Sequence, residues 1–341
     1  MNIETILKFK NDLDSYKFSD LHSIGTLYDF PDLSDLDLKW LIAIKHSRDN
    51  MFATMDKPEI SKEEFLKNFK IGDLLGEGQG AHIYSVTNVK TNEQLAVKIC
   101  KKSPSARRQC ERELYYGTTL NHPNIINVKE FYNVKDMGIA IIMEKCVGGD
   151  LYIKTDELTK ILTEEETAKI LKPLIMALGY LADQNVIHRD LKPENIFFCG
   201  PNGDIPKLAD FGLAIDYDPT NKPIGHTGSL AYMPPEMSIS YPKKYDPSID
   251  LRALGVIMYE LLTSVYPYDP ENVLSDPELM KAIEYNNRRG DAKQEYKNLS
   301  AEAKDLIDSL LGKNNIIITS AERPTANDVL NHQWFKNLET M

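Results

Sequence analysis

The chain has 341 residues, room for about two domains. Its hydrophobic fraction of 42% supports a packed core and excludes a disordered polar chain. The formal net charge of −11 argues against a nucleic-acid partner, since such binders are more often basic, and it suits basic peptide partners. No apolar run approaches the ~18 residues of a membrane span. The polar, mixed-charge start lacks signal-peptide character, and Asn2 stands where myristoylation needs glycine. The four cysteines, Cys100, Cys110, Cys146 and Cys199, include no C-x-x-C pair. Their spacing suggests neither a zinc site nor a disulfide framework, so reduced thiols are expected. The expectation is a soluble, monomeric, cytoplasmic protein, with a nuclear location left open.

Residues 1–68 read as an amino-terminal extension. Ile3, Ile6, Leu7 and Leu13 fall near helical spacing, as do Leu36, Trp40, Leu41 and Ile44, with Pro31 between the two groups. A short third helix is predicted from Ser61, where Ser61-Lys62-Glu63-Glu64 fits a capping box. Two readings stay open: a segment that packs on the rest and stabilises it, or a regulatory or docking segment with Trp40 at the contact.

Residues 69–145 are rich in strand signals. Phe69 to Glu77 alternates weakly and runs into Gly76-Glu77-Gly78-Gln79-Gly80-Ala81. Glycines there let backbone amides approach phosphate oxygens, although a glycine-rich loop alone is a weak signal. Gln94 to Ile99 alternates and carries Lys98, and Ile139 to Met143 reads as a buried strand. Residues 146–341 turn helical. Thr163 to Gln184 is a predicted helix with three glutamates in its first turn, where the dipole favours acid. Ile170, Leu174, Ala177, Leu178 and Leu181 form its core face.

Two short runs gather the chemistry: His188-Arg189-Asp190-Leu191-Lys192-Pro193-Glu194-Asn195, then Asp210-Phe211-Gly212. Asp190 is placed to accept a hydroxyl proton, and Lys192 is a compact positive charge beside it. Asn195 and Asp210 are oxygen ligands of the kind Mg²⁺ prefers. A nucleophile orienter, charge neutralisation and a metal clamp are what moving a phosphoryl group requires.

These runs resemble the catalytic loop and metal motif of eukaryotic-type protein kinases. The resemblance covers residues 69–338 and implies a bilobal α+β fold, with a β-rich small lobe (69–145) and a mainly helical large lobe (146–341). It implies ATP and Mg²⁺ as cofactors and a protein serine or threonine as acceptor, since Lys192 is the residue of the Ser/Thr class. Asp190 would be the base, Lys192 and Lys98 would neutralise phosphate charge, and Asn195 and Asp210 would hold the metal. Glu113 would orient Lys98; it lies eight residues before Asn121, as the family's glutamate does, and Glu111 is its competitor.

The resemblance also implies the nucleotide pocket. Gly76, Gly78 and Ala81 would form the phosphate loop, Ala81 standing where the family has its third glycine. Ile83 and Ala96 would sandwich the adenine above Phe197. The Glu144 carbonyl and Cys146 amide would bond it at the hinge, and Asp150 would reach the ribose. Residues 210–236 correspond to the activation segment, anchored by a Glu236–Arg323 pair. Ser229 would contact Asp190 and Lys192. Thr220 and Thr227 are candidate phosphosites for an upstream kinase, with Arg189 as a phosphate partner. Asp150, Glu194 and Glu260 would bind arginine before the acceptor, and Leu230 with Met233 would line an apolar slot after it.

The pattern is most like the calcium/calmodulin-dependent and calcium-dependent kinases, although no D-x-D-x-D-G loop is present to carry calcium. Three positions depart from the family: Ala81; Gly117, where a bulky side chain normally stacks towards the metal-motif Phe; and Arg252, where Trp is common. They favour a rival reading, a pseudokinase scaffold or allosteric partner. The intact Lys98, Asp190, Asn195 and Asp210 oppose it. A small-molecule phosphotransferase on the same fold fits the long activation segment poorly.

Overall fold

The computed structural model describes residues 57–78, 80–237, 243–268, 294–312 and 318–339. The two helices expected around 3–13 and 35–48, with Trp40, lie outside the described residues.

A mostly antiparallel six-stranded sheet makes the small lobe, in the order β1-β5-β6-β4-β3-β2. Its strands are β1 (Glu59–Ile60), β2 (Phe69–Glu77), β3 (Ala81–Asn88), β4 (Gln94–Cys100), β5 (Val128–Val134) and β6 (Gly138–Glu144). Helix α1 (Lys62–Asn68) starts where the sequence predicts, with the Ser61 hydroxyl accepting the Glu64 amide at 3.1 Å. Phe65 of α1 packs edge-on and tilted against Tyr132 and Phe69, within a core that includes Val86, Val97 and Ile142. Strand β1 pairs parallel with β5. Residues 59–68, which the sequence reading gave to the extension, thus pack into this sheet.

The register fixes what faces the cleft. Gly76 pairs with Ile83, Ile83 with Lys98 and Lys98 with Ile141. Cross-strand partners share a face, and so do residues two apart. Ala96, paired with Met143, therefore lies on the same face as Lys98 and Ile83.

Helix α2 (Pro104–Thr119) lies against this sheet. Ser103 caps it and Pro104 opens it, where a missing N–H costs nothing. Gly117 has a packing reason: a Cβ there would fall 2.3 Å from Val128 Cγ2. The bulky contact expected one place later is made by Tyr116, whose ring lies 6.2 Å from that of Phe211. Its hydroxyl donates to Asp216 at 3.0 Å. The departure at Gly117 is therefore a shift of the contact by one residue and not its loss.

The large lobe begins with α3 (Leu151–Lys154) and α4 (Glu164–Asp183). Thr163 and Glu166 close the capping box of α4. Glu164 accepts from the Ser300 hydroxyl and from Trp334 Nε1, both at 2.7 Å, tying α4 to the carboxy-terminal helices. Beyond it lie the short strands β7 (Val186–Ile187), β8 (Ile196–Cys199), β9 (Ile205–Leu208) and β10 (Ile215–Asp216). Helix α5 (Ser248–Thr263) is buried along nearly its whole length. Helices α6 (Gln294–Asn298), α7 (Ala301–Leu311), α8 (Ala326–Leu330) and α9 (Gln333–Glu339) complete the described chain.

The expectation of reduced thiols is corrected. Cys100 is bonded to Cys110 and Cys146 to Cys199, leaving no free cysteine. The pairs lie 10 and 53 residues apart, so only the tertiary fold brings the sulfurs together. No described helix is long and apolar enough to cross a membrane.

Gly117→Ala should lower stability by about 1–3 kcal/mol, overpacking outweighing the better helix propensity. Adding Val128→Ala should recover part of that loss; thermal melts of the two single variants and the double variant check it.

Candidate active site

Lys98 lies at the meeting point of three elements. Its Nζ on β4 pairs with the Glu113 carboxylate on α2 and with Asp210 Oδ1 at 3.3 Å. Burial alone would lower the Lys98 ammonium, but the two carboxylates more than offset this and hold it above its ordinary value. Burial also raises Glu113, against the pull of Lys98. Asp210 is held below the usual carboxylate range: burial works to raise it, and the Lys98 charge overrides. Glu111 instead bonds Arg107 at 2.8 Å, one turn away on its own helix, so Glu113 is the partner of Lys98.

The catalytic loop is held from below. Asp250, in the first turn of α5, accepts the His188 amide at 2.8 Å and the Arg189 amide at 2.9 Å. Burial pushes the Asp250 carboxyl up, and the charge of His188 works against it. Arg189 sits at φ 68° and Asp210 at φ 62°, both in the left-handed region that non-glycine residues rarely adopt. Such strain persists where surrounding bonds over-determine it. The Arg189 side chain adds two, donating to the Leu213 carbonyl at 2.8 Å and the Tyr245 hydroxyl at 3.2 Å. His188 is structural, as expected: it is fully buried, bonded to the Ala209 carbonyl at 2.9 Å and edge-on to Phe211.

Around Asp190 the expected groups converge. Ser229 donates from both its amide and its hydroxyl to Asp190 Oδ1, at 2.9 and 2.8 Å. Lys192 Nζ lies 3.0 Å from the Ser229 hydroxyl and 3.4 Å from Asp190 Oδ2. Asn195 donates from Nδ2 to the Asp190 carbonyl at 2.7 Å and to its carboxylate at 3.0 Å. Both donated bonds come from the nitrogen, and the Asn195 carbonyl oxygen is the atom left for a metal. Asp210, two elements away, would supply a second oxygen, its Oδ1 being placed by Lys98 and the Gly212 amide.

The glycine-rich loop fits a phosphate-bearing ligand. A Cβ at Gly76 would meet nothing within 4 Å, and at Gly78 only the Ala81 carbonyl at 4.0 Å. The protein itself needs no glycine there, whereas an approaching phosphate does. Ala81 is buried at the start of β3, and the Gly78 amide reaches its carbonyl at 2.9 Å. Lys101, missed from sequence, braces the loop through Glu77 at 3.2 Å and the Gly78 carbonyl at 2.8 Å.

At the hinge, Glu144 ends β6 and its carboxylate takes Lys207 at 2.7 and 2.9 Å, a partner 63 residues away that no local motif indicates. Cys146 is tied to Cys199, two residues past Phe197 on β8. Asp150 bridges to Phe197 and spends its Oδ1 on the Ile153 amide at 2.9 Å, as the cap of α3.

The expected substrate side divides. Met233 is buried against Ile187, Met237, Tyr245 and Ile249 and lines a small cavity with Asp190 and Ser229; Leu230 is partly buried against the large-lobe core. Glu194 is exposed, while Glu260 is 6% exposed and accepts the Tyr232 hydroxyl at 3.1 Å. Burial pushes the Glu260 carboxyl up to about 8. Thr220 is exposed and bonded to Asp218 at 2.7 Å, and the Thr227 hydroxyl donates to the His226 carbonyl.

The end of the activation segment is anchored twice. Arg323 donates to Glu236 at 2.9 Å with both side chains buried. Arg252 donates to the Met233 carbonyl at 3.0 Å and lies 5.4 Å over the Tyr268 ring. The arginine that replaces Trp therefore ties the segment down where looser packing was expected.

Residues 69–335 match the protein kinase domain. The chain belongs to the protein kinase family. It is 31% identical to myosin light chain kinase A of Dictyostelium discoideum over 286 residues, 80% of this chain and 90% of that protein. An Aurora kinase of the same organism is 33% identical over 281 residues, 81% of this chain and 67% of the relative. Calcium-dependent protein kinase 5 of Plasmodium berghei (strain Anka) is 31% identical over 306 residues, 86% of this chain, which spans 52% of that protein's length.

Glu236→Gln should cost about 3–5 kcal/mol, because it leaves Arg323 buried and unpaired. Burial works to raise Glu236, but Arg323 holds it below the ordinary glutamate range. Its contribution is complete above that range and is lost as pH falls through the lowered value. Denaturant melts across acidic pH should show the variant's deficit shrinking as pH falls.

Proposed function

We propose that this chain transfers the γ-phosphoryl group of ATP to serine or threonine in proteins, with a preference for arginine before the acceptor. The observation that carries the reading is the convergence of Lys98, Asp190, Lys192, Asn195 and Asp210 beside an open glycine loop. Asp190 orients the acceptor hydroxyl and takes its proton. Lys192, bonded to Ser229, offsets charge on the group in transit, and Lys98 binds the phosphates next to the loop. Mg²⁺, held by Asn195 and Asp210, would supply the remaining charge neutralisation. Phosphate transfer from labelled ATP to a Ser/Thr peptide library should appear with the native chain and fall by at least about a hundredfold with Asp190→Asn. Bound nucleotide without transfer in either would favour the scaffold reading.

The arginine preference rests on Glu260 and Glu194. Burial, aided by the Glu194 charge and opposed by the Tyr232 hydroxyl that donates to it, pushes the Glu260 carboxyl up to about 8, so it stays mostly neutral below that. A guanidinium bound there would favour the ionised form, and binding would release a proton. Affinity for an arginine peptide should therefore rise with pH, up to about tenfold per unit, and level off near 8. KM measured for arginine and alanine peptides across neutral pH checks this. Equal pH profiles for the two, or an unchanged arginine preference in Glu260→Gln, would remove the assignment.

A further inference from the structure

Two links join the strand that carries Lys98 to the helix that carries Glu113. One is the Lys98–Glu113 ion pair. The other is the bond between Cys100, two residues after Lys98, and Cys110, one helical turn before Glu113. Among the described residues no backbone hydrogen bond runs between β4 and α2. The other cysteine pair differs in this respect. The segments joined by Cys146–Cys199 are also joined by the Gly148 amide to the Phe198 carbonyl at 2.9 Å and by the Phe198 amide to the Gly149 carbonyl at 2.8 Å. That bridge repeats a backbone connection, whereas Cys100–Cys110 joins a strand and a helix whose other ties are the Lys98–Glu113 ion pair and the short chain connection through residues 101–103.

We propose that Cys100 and Cys110 form a redox clamp on the nucleotide site. Bridged, they hold α2 where Glu113 meets Lys98; as two thiols, they release the helix, and phosphoryl transfer falls. The proposal rests on the reading of Lys98 as the phosphate-binding lysine. The oxidant is a hydroperoxide. One thiolate attacks the peroxide oxygen, forms a sulfenic acid and expels the alcohol or water. The other thiolate attacks that sulfur, the S–S bond forms, and hydroxide leaves as water. The two thiol protons end in those products, and the two electrons lost by sulfur reduce the O–O bond. A small dithiol reverses the change and becomes a cyclic disulfide.

Burial adds a coupling. Cys100 is 4% exposed and Cys110 1% exposed in the bridged state, so a reductant reaches them only when α2 moves away from the sheet. A nucleotide that draws Lys98 and Glu113 together opposes that motion and should slow reduction.

The test uses the whole chain, oxidised with hydrogen peroxide or reduced with dithiothreitol, beside the double variant Cys100→Ser/Cys110→Ser. Peptide mapping without reductant reports the bridge, and kcat/KM reports transfer. The reduced native chain should be about tenfold slower than the oxidised one and recover on reoxidation, the size expected when a two-state helix shifts its balance. The double variant should be slow and indifferent to treatment. Reduction of the native bridge, followed by alkylation of Cys110, should be several-fold slower with a non-hydrolysable ATP analogue and Mg²⁺. Equal rates with and without a mapped bridge would overturn the clamp. So would a redox response that survives in the double variant, or no Cys100–Cys110 peptide after peroxide. The alkylation arm needs no turnover. Nucleotide that binds by calorimetry without protecting Cys110 sinks the clamp alone, and nucleotide that does not bind sinks the site reading beneath it.

Discussion

The ion pair between Lys98 and Glu113 is the contact on which the site depends. Each group alone would be expensive to bury: an isolated ammonium or carboxylate in that position would shift its pKa and neutralise. Together with Asp210 they offset that cost, because Lys98 takes one carboxylate from α2 and one from the large lobe, which holds its ammonium charged while burial still raises Glu113. That arrangement couples three elements. The sheet places Lys98, the helix places Glu113, and the backbone turn at Asp210 places the third charge. A change in any of the three alters the charge available to a phosphate at the glycine loop.

The large lobe answers this with rigidity. Asp250 spends its carboxylate on two successive backbone amides and so sets the catalytic loop from beneath. With the loop fixed, Asp190 can be shared by Ser229 and Asn195 while Lys192 meets Ser229 and the Asp190 carboxylate. Preorganised groups of this kind cost no rearrangement when charge develops. The same logic reaches the activation segment, whose far end is tied by Glu236 to Arg323 and by two of its carbonyls to Arg252.

What was legible in the sequence was local. The runs around Asp190 and Asp210 carry their chemistry in consecutive residues, and β2, α1 and α4 begin where alternation and caps place them. What was not legible depends on approach across the fold. Gly117 looked like a missing contact because its neighbour on β5, Val128, is unknown from sequence, and Tyr116 could fill the gap only if the helix faced Phe211 as it does. Arg252 looked like a loosening because the carbonyls it meets belong to a loop nearly twenty residues earlier. The cysteines looked unpaired because pair spacing in sequence says nothing about strands and helices that meet in space. The neighbours that bury Met233, among them Met237, Tyr245 and Ile249, come from separate stretches of chain and could not be named from its own motif.

The most direct test of the central ion pair is steady-state phosphoryl transfer by Glu113→Gln, with nucleotide affinity and thermal stability measured on the same samples. Gln keeps the shape and removes the charge, so Lys98 should turn towards Asp210 and lose its place beside the phosphates. The predicted result is a fall in kcat/KM of at least about a hundredfold in a chain that still melts cooperatively. Transfer at the native rate, with the same affinity for nucleotide, would contradict the account.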